Sequence, residues 1–210
     1  MVKAVLFDLW GTLVETGVES PIKQVKMALN IRIPFHFYVV RLEKVMMMKE
    51  FSSLNEAFSA VCQEFGLRCP QWKIEELVGI WNKSWMLAKP YEEVLEVLNG
   101  LKERGIQVYL VSNTDNFSVV RTLEKFEMEK CFDKCFFSYK MGKIKSDDDF
   151  FPTILKELDL QPEDCLMVGD SILSDMNARH SGIKSILLDR RNSREFEPKI
   201  ANLKELEKFL

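Results

Sequence analysis

The stretch VLFDLWGTL, Val5 to Leu13, places three apolar residues before a carboxylate and follows them with a Gly-Thr turn. A short apolar run bounded by turn residues is the pattern of a strand buried on both faces of a parallel sheet. Asp8 then falls at the carboxyl end of that strand, where open α/β sheets bind their ligands. By itself an Asp in this place serves equally well as a turn cap. Its meaning depends on what the other strands carry at the same edge.

Beyond Leu13 the apolar spacing changes from strand to helix. Ser20-Pro21 is a helix start, with a capping residue followed by proline at the first helical position. A second helical run extends from Phe35 to about Glu50, and Ser53-Leu54-Asn55-Glu56 has capping-box spacing before a third. A fourth covers Trp72 to Leu87. No strand pattern interrupts these helices, so residues 16–88 are expected to form an inserted helical bundle. Met46 to Met48 and the aromatics Phe35, Phe37, Tyr38, Trp72, Trp81 and Trp85 are expected in its core, with a few facing a cleft.

After Lys89-Pro90 strands and helices alternate. Tyr91 to Arg104 is helical and ends at Gly105, and IQVYLVSNT is the second strand. A helix over Phe117 to Phe126 precedes the short apolar piece Cys135 to Phe137. A basic loop, a helix near Asp149 to Leu158 and the strand Cys165 to Val168 come next. A helix from about Asp175, the strand Lys184 to Leu188 and a terminal helix in LKELEKFL complete the order. This alternation predicts a doubly wound, Rossmann-like parallel sheet covered on both faces, built from residues 1–15 and 89–210.

Composition narrows the functional classes. The chain has 210 residues, 47% hydrophobic and 29% charged, with a net charge of −3. That is an ordinary globular balance, and the dispersed basic residues predict no nucleic acid or anionic membrane partner. No segment reaches the ~18 apolar residues of a membrane span, so the expectation is a cytoplasmic protein acting on a small molecule. The five cysteines, Cys62, Cys69, Cys131, Cys135 and Cys165, show neither CxxC nor zinc-finger spacing. They are expected to be idle or buried thiols. Oligomeric state is left open.

The strand ends carry the chemistry. The first ends at Asp8, the second at Ser112-Asn113, and CLMVG at Asp170-Ser171, with Asp175 five residues after Asp170. Lys145 lies in the loop GKIKSD. In a parallel sheet these ends converge on one edge. A carboxylate there can attack an electrophile, an ammonium and hydroxyls can neutralise phosphoryl oxygens, and further carboxylates suit Mg²⁺.

These motifs together resemble those of the haloacid dehalogenase-like hydrolase superfamily over nearly the whole chain. FDLWGTL matches the first motif, VSNT the second, Lys145 in GKIKSDDDFF the third, and VGDSILSD the acidic fourth. Ser146 stands where the family usually has a proline. The resemblance implies that Asp8 is the nucleophile, with Thr12 and the turn amides near Gly11 orienting it. It implies that Ser112, Asn113 and Lys145 bind the phosphoryl group, and that Asp8, the Trp10 backbone carbonyl and Asp170 hold Mg²⁺. Asp175 would fix Lys145 or a metal-bound water. The inserted helices correspond to a cap that closes over the site, excludes water and selects the substrate.

One residue departs from the phosphatase pattern. Most phosphatases of the superfamily carry a second Asp two residues after the nucleophile, which protonates the leaving group and then activates water. Here that residue is Trp10, whose indole donates a hydrogen bond but exchanges no proton near neutral pH. The 2-haloacid dehalogenases also place an aromatic residue there and need no metal. That alternative requires an Arg at the cleft, for which Arg32 and Arg41 are the cap candidates, and it leaves Asp170 without a purpose. A third reading is a protein that binds a phosphate ligand with little turnover. If acid–base help is what Trp10 removes, Trp10→Asp raises phosphatase kcat; an unchanged rate in a steady-state assay would show that the proton comes from another group.

Overall fold

The computed structural model describes residues 2–17 and 19–210. Strand β1 (Ala4–Phe7) is fully buried. Its alternating side chains explain why: Val5 and Phe7 enter one apolar layer, and Ala4 and Leu6 enter the other. β2 (Val14–Glu15) follows. The inserted bundle comprises α1 (Pro21–Ala28), α2 (Phe35–Met46), α3 (Leu54–Glu64) and α4 (Gln71–Met86). Ser20 and Ser53 cap α1 and α3 as read from the sequence, their hydroxyls accepting from the Lys23 and Glu56 amides, but the box at Ser53 is half formed, since the Glu56 carboxylate accepts from Ser52 instead.

The chain returns through β3 (Lys89–Pro90), α5 (Val94–Glu103), β4 (Gln107–Ser112), α6 (Ser118–Lys125) and β5 (Lys134–Phe137). It finishes with α7 (Ser138–Met141), α8 (Phe150–Leu158), β6 (Cys165–Gly169), β7 (Lys184–Leu188) and β8 (Lys199–Ile200). The sheet order is β5-β4-β1-β6-β7-β8, and every pairing in it is parallel. β1 is therefore central, with Phe7 level with Leu110 of β4 on one side and Val168 of β6 on the other. α5 and α6 pack Val94, Leu98 and Val119 on one face of the sheet. α8 packs Phe150, Phe151 and Ile154 on the other. This is the doubly wound α/β architecture expected.

Several details differ from the sequence reading. β2 and β3 form a two-stranded antiparallel ribbon where the chain leaves and re-enters the sheet domain. Two residues per strand are too few to leave an alternation pattern. The same holds for β8. The segments Asp175–Ser181 and Leu203–Phe209 are 3₁₀ rather than α-helical.

The bundle has its own core of Val25, Tyr38, Leu42, Met46, Phe58, Leu77 and Trp81, but it does not take in all the expected aromatics. Phe37 is 59% and Trp72 63% exposed, and Phe35 is exposed as well. Position on the helix explains this. The buried stripe of α2 runs Tyr38, Leu42, Met46, so Phe37 projects about 100° away from it. Trp72 lies two residues before the buried Ile74, on the opposite side of α4.

The cysteine expectation is also corrected. Cys62 and Cys69 are joined in a disulfide, while Cys131, Cys135 and Cys165 are free. α3 ends at Glu64, and Gly66 at φ +67° turns the chain back. That turn brings two Cα atoms seven residues apart to 6.3 Å, a relation linear spacing rules do not test.

The bundle is seated on the strand ends by specific polar contacts. Asn116 accepts from the Phe51 amide at 3.2 Å and donates to the Phe51 carbonyl at 3.1 Å. Trp81 Nε1 donates to Asp115 at 2.9 Å, and Lys44 pairs with Asp147 at 3.1 Å. Replacing both Cys62 and Cys69 with Ser is expected to cost about 2 kcal/mol, the chain-entropy value for so short a loop. The shift of the urea midpoint, compared with the oxidised wild type that keeps the bond, measures it.

Candidate active site

β1 delivers Asp8 to the edge, and the Asp8 amide continues the ladder by donating to the Val168 carbonyl at 3.0 Å. The chain then turns tightly, with the Leu13 and Val14 amides both donating to the Leu9 carbonyl at 2.9 Å. Gly11 sits at φ +79° in this turn, and a Cβ there would lie 2.6 Å from the Asp170 carboxylate. Both facts demand glycine. The buried Thr12 hydroxyl has no hydrogen-bond partner. Arg190 secures the turn by donating to the Thr12 carbonyl at 2.9 Å and to Glu93 at 2.6 Å while stacking on Tyr91.

Lys145 is the centre of the set. Its ammonium is 2.5 Å from Asp8 Oδ1 and 2.6 Å from Asp175 Oδ1, and the residue is 1% exposed. Its backbone is clamped as well. The amide donates to Asn113 Oδ1 at 2.9 Å, and the carbonyl accepts from Asn177 Nδ2 at 2.9 Å. Asp175 accepts from the Ser171 amide at 2.9 Å with its second oxygen. It lies so close to β6 that a Cβ on Gly169 would collide with its carboxylate. Ser112 ends β4 fully buried, and its hydroxyl makes only a long 3.5 Å contact with the Asn113 carbonyl.

Carboxylate oxygens of Asp8, Asp170 and Asp175 lie within 4.8 Å of one another. Burial works against charge on Lys145, but Asp175 and then Asp8 outweigh it and hold the ammonium protonated. Burial pushes the Asp8 carboxyl well above its ordinary value; Lys145 opposes this and the charges of Asp175 and Asp170 add to it. Burial and then the Asp175 charge push Asp170 up to about 6. The set thus holds more negative charge than Lys145 neutralises. The Arg194 guanidinium, 3.8 Å from the Asp170 carboxylate and bonded to the Asp170 carbonyl, is partly exposed and screened. Three clustered carboxylates, all oxygen donors, fit a hard divalent cation.

Asp8, Lys145, Asp170 and Asp175 therefore meet at one edge, with Gly11, Thr12, Ser112 and Asn113 in the adjoining turns. Trp10 is half-buried, and its indole lies 3.4 Å from the Thr114 hydroxyl. The two arginines considered for the cleft are elsewhere. Arg41 pairs with Glu64 at 2.7 Å and stacks on Phe65, and Arg32 is exposed. Sequence reasoning missed Glu43, Arg190 and Asn177. Glu43 follows Leu42 by about 100° around α2 and borders its apolar stripe rather than lying on it, so its burial comes from the seating of the bundle and not from the helix pattern.

A family model for haloacid dehalogenase-like hydrolases matches residues 2–180, and the chain belongs to that family. It is 24% identical to the glyceraldehyde 3-phosphate phosphatase of Methanothermobacter thermautotrophicus, covering 90% of this chain and 86% of the relative. It is 29% identical to the putative pyrophosphatase PpaX of Caldanaerobacter subterraneus subsp. tengcongensis, covering 88% and 80%. Among solved structures, the 2-haloacid dehalogenase of Pseudomonas syringae pv. Tomato superposes with a TM-score of 0.65 at 20% identity, covering 99% of this chain and 97% of that one. That likeness establishes the fold alone. The protein is a hydrolase of this family, and its relatives by sequence carry phosphatase names.

Lys145→Met leaves Asp8 and Asp175 buried without their cation. The expected loss is about 3–5 kcal/mol of stability, the usual cost of breaking a buried pair from one side. Chemical denaturation of the purified variant measures it; a loss under about 1 kcal/mol would mean that the pair is solvated.

Proposed function

We propose that the protein is a Mg²⁺-dependent phosphatase of small phosphoesters that works through an aspartyl-phosphate. The observation that carries this reading is the excess of carboxylate over Lys145 at the strand ends. A metal-free displacement at carbon has no use for Asp170. The phosphatase names of the sequence relatives support the same reading.

Asp8 is the nucleophile. Its carboxylate oxygen attacks phosphorus in line, and the bond from phosphorus to the leaving oxygen breaks. Lys145 fixes the orientation of Asp8 through the 2.5 Å contact and, with the Ser112 hydroxyl, meets charge on the phosphoryl oxygens. The Gly11 turn fixes the backbone that carries Asp8, its own amides being spent on the Val14 and Leu9 carbonyls; the buried Thr12 hydroxyl is the group left to orient the attacking carboxylate, and Asn113 holds the Lys145 backbone in register. Asp8, the Trp10 carbonyl and Asp170 would hold Mg²⁺, which would supply Lewis-acid charge to the phosphoryl oxygens. Asp175 holds Lys145 from its other side. Residues 16–88 act as the cap, seated by the Asn116, Trp81 and Lys44 contacts, which exclude water from the reaction.

One observation favours a second reading, a 2-haloacid dehalogenase: the aromatic residue at position 10. Against it, Arg32 and Arg41 are turned to solvent and to Glu64, so neither supplies the cation that such a substrate's carboxylate needs.

Assays on 4-nitrophenyl phosphate and on a 2-chloro acid, each with Mg²⁺ and with a chelator, separate the readings. Phosphate release that the chelator stops is expected, and Asp8→Asn should abolish it while the circular dichroism spectrum is kept. Chloride release that survives the chelator would establish the dehalogenase, and phosphate binding without release would establish a ligand-binding protein.

A further inference from the structure

Phosphoester hydrolysis requires a proton for the leaving oxygen and later a base for water, and Trp10 supplies neither. The inserted bundle brings a carboxylate of its own to this edge. Glu43 projects from α2, beside its apolar stripe, into the interface between bundle and sheet, where it is 8% exposed. Its Oε2 accepts from Asn113 Nδ2 at 2.9 Å, and Asn113 in turn accepts from the Lys145 amide. Three hydrogen bonds, through Asn113 and then Lys145, therefore link Glu43 to Asp8.

We propose that Glu43, delivered by the cap, is the general acid and base of this hydrolase. The inference rests on the phosphatase reading above. Three observations single Glu43 out. First, it is a buried carboxylate that among the described residues has no cationic partner: its hydrogen-bond partner there is the neutral amide of Asn113, on Oε2. The lysine beside it, Lys44, is committed to Asp147, and Lys145 is committed to Asp8 and Asp175. Second, it faces the site from the cap side, which is the side a leaving group must occupy if Asp8 attacks in line from β1. Third, its burial favours the acid form. Burial pushes Glu43 up to about 7, Asn113 and the Lys145 charge pull against that, and the Asp175 charge adds to it. A carboxyl poised near neutrality can give a proton and take one back.

The proton balance closes. As Asp8 attacks phosphorus, the bond to the leaving oxygen breaks and that oxygen takes the proton from the Glu43 carboxyl, releasing an alcohol. The Glu43 carboxylate then takes a proton from water as the water oxygen attacks phosphorus. The bond from phosphorus to Asp8 breaks, Asp8 is free again, inorganic phosphate leaves, and Glu43 is protonated for the next cycle. Because Glu43 reaches the site only from the seated bundle, acid–base chemistry and exclusion of water arrive together.

The test is Glu43→Gln, which keeps the size and an oxygen able to accept from Asn113 but cannot exchange a proton. Its kcat/KM is measured on a series of aryl phosphates of similar shape: 4-nitrophenyl, 4-chlorophenyl and phenyl phosphate. A good leaving group needs no acid and a poor one does. The expected result is a change of less than about threefold on 4-nitrophenyl phosphate and a loss of about 100-fold on phenyl phosphate, the lower end of general-acid contributions. Rapid-quench analysis with 4-nitrophenyl phosphate should also show a burst of nitrophenolate, since hydrolysis of the aspartyl-phosphate loses its base. A uniform loss across the series, or no loss, would overturn the role of Glu43 while leaving the phosphatase intact. A wild-type protein that releases no phosphate from any of the three would instead overturn the phosphatase reading and this inference with it.

Discussion

The ammonium of Lys145, held between Asp8 and Asp175, is the interaction on which the rest of the structure depends. A lysine at 1% exposure is tolerable only with matched partners, because an unpaired buried charge costs several kcal/mol. Each partner comes from a different element: Asp8 from the end of β1, Asp175 from the 3₁₀ segment after β6, and Lys145 from the loop between α7 and α8. The pair therefore ties together three loops that the sheet alone brings only to the same edge. Clamping of the Lys145 backbone by Asn113 and Asn177 removes the remaining freedom of that loop.

That geometry has a chemical consequence. Satisfying Lys145 with two carboxylates and adding Asp170 within 4.8 Å leaves the edge negatively charged. The energetic tension appears as Asp8 and Asp170 carboxyls raised above their ordinary range. On the proposed reading a divalent cation would relieve it, and a phosphoryl group at this edge would meet Asp8, the Ser112 hydroxyl and Lys145. The tight backbone at Gly11 and Gly169 belongs to the same design, since a side chain at either place would enter the carboxylate cluster.

The inserted bundle adds what the sheet edge lacks. Its contacts with Asn113, Asp115, Asn116 and Asp147 all fall on loops at the carboxyl ends of strands, so closing the bundle and completing the site are one event. Its burial of Glu43 replaces a proton-exchanging group that the first motif has lost at Trp10.

By itself the sequence determined the alternating architecture, the inserted helices and the convergence of Asp8, Ser112, Lys145, Asp170 and Asp175, because periodicity and strand-end position are local properties of the chain. Tertiary structure decided the rest. The pairing of Cys62 with Cys69 required the chain reversal at Gly66, and the exposure of Phe37 and Trp72 depended on which face of each helix met a neighbour. The partners of Lys145, the anchoring of the first turn by Arg190 and the approach of Glu43 join residues 30 to 178 positions apart. Such contacts are set by how closed loops pack against one another, and no local pattern in the chain encodes that distance.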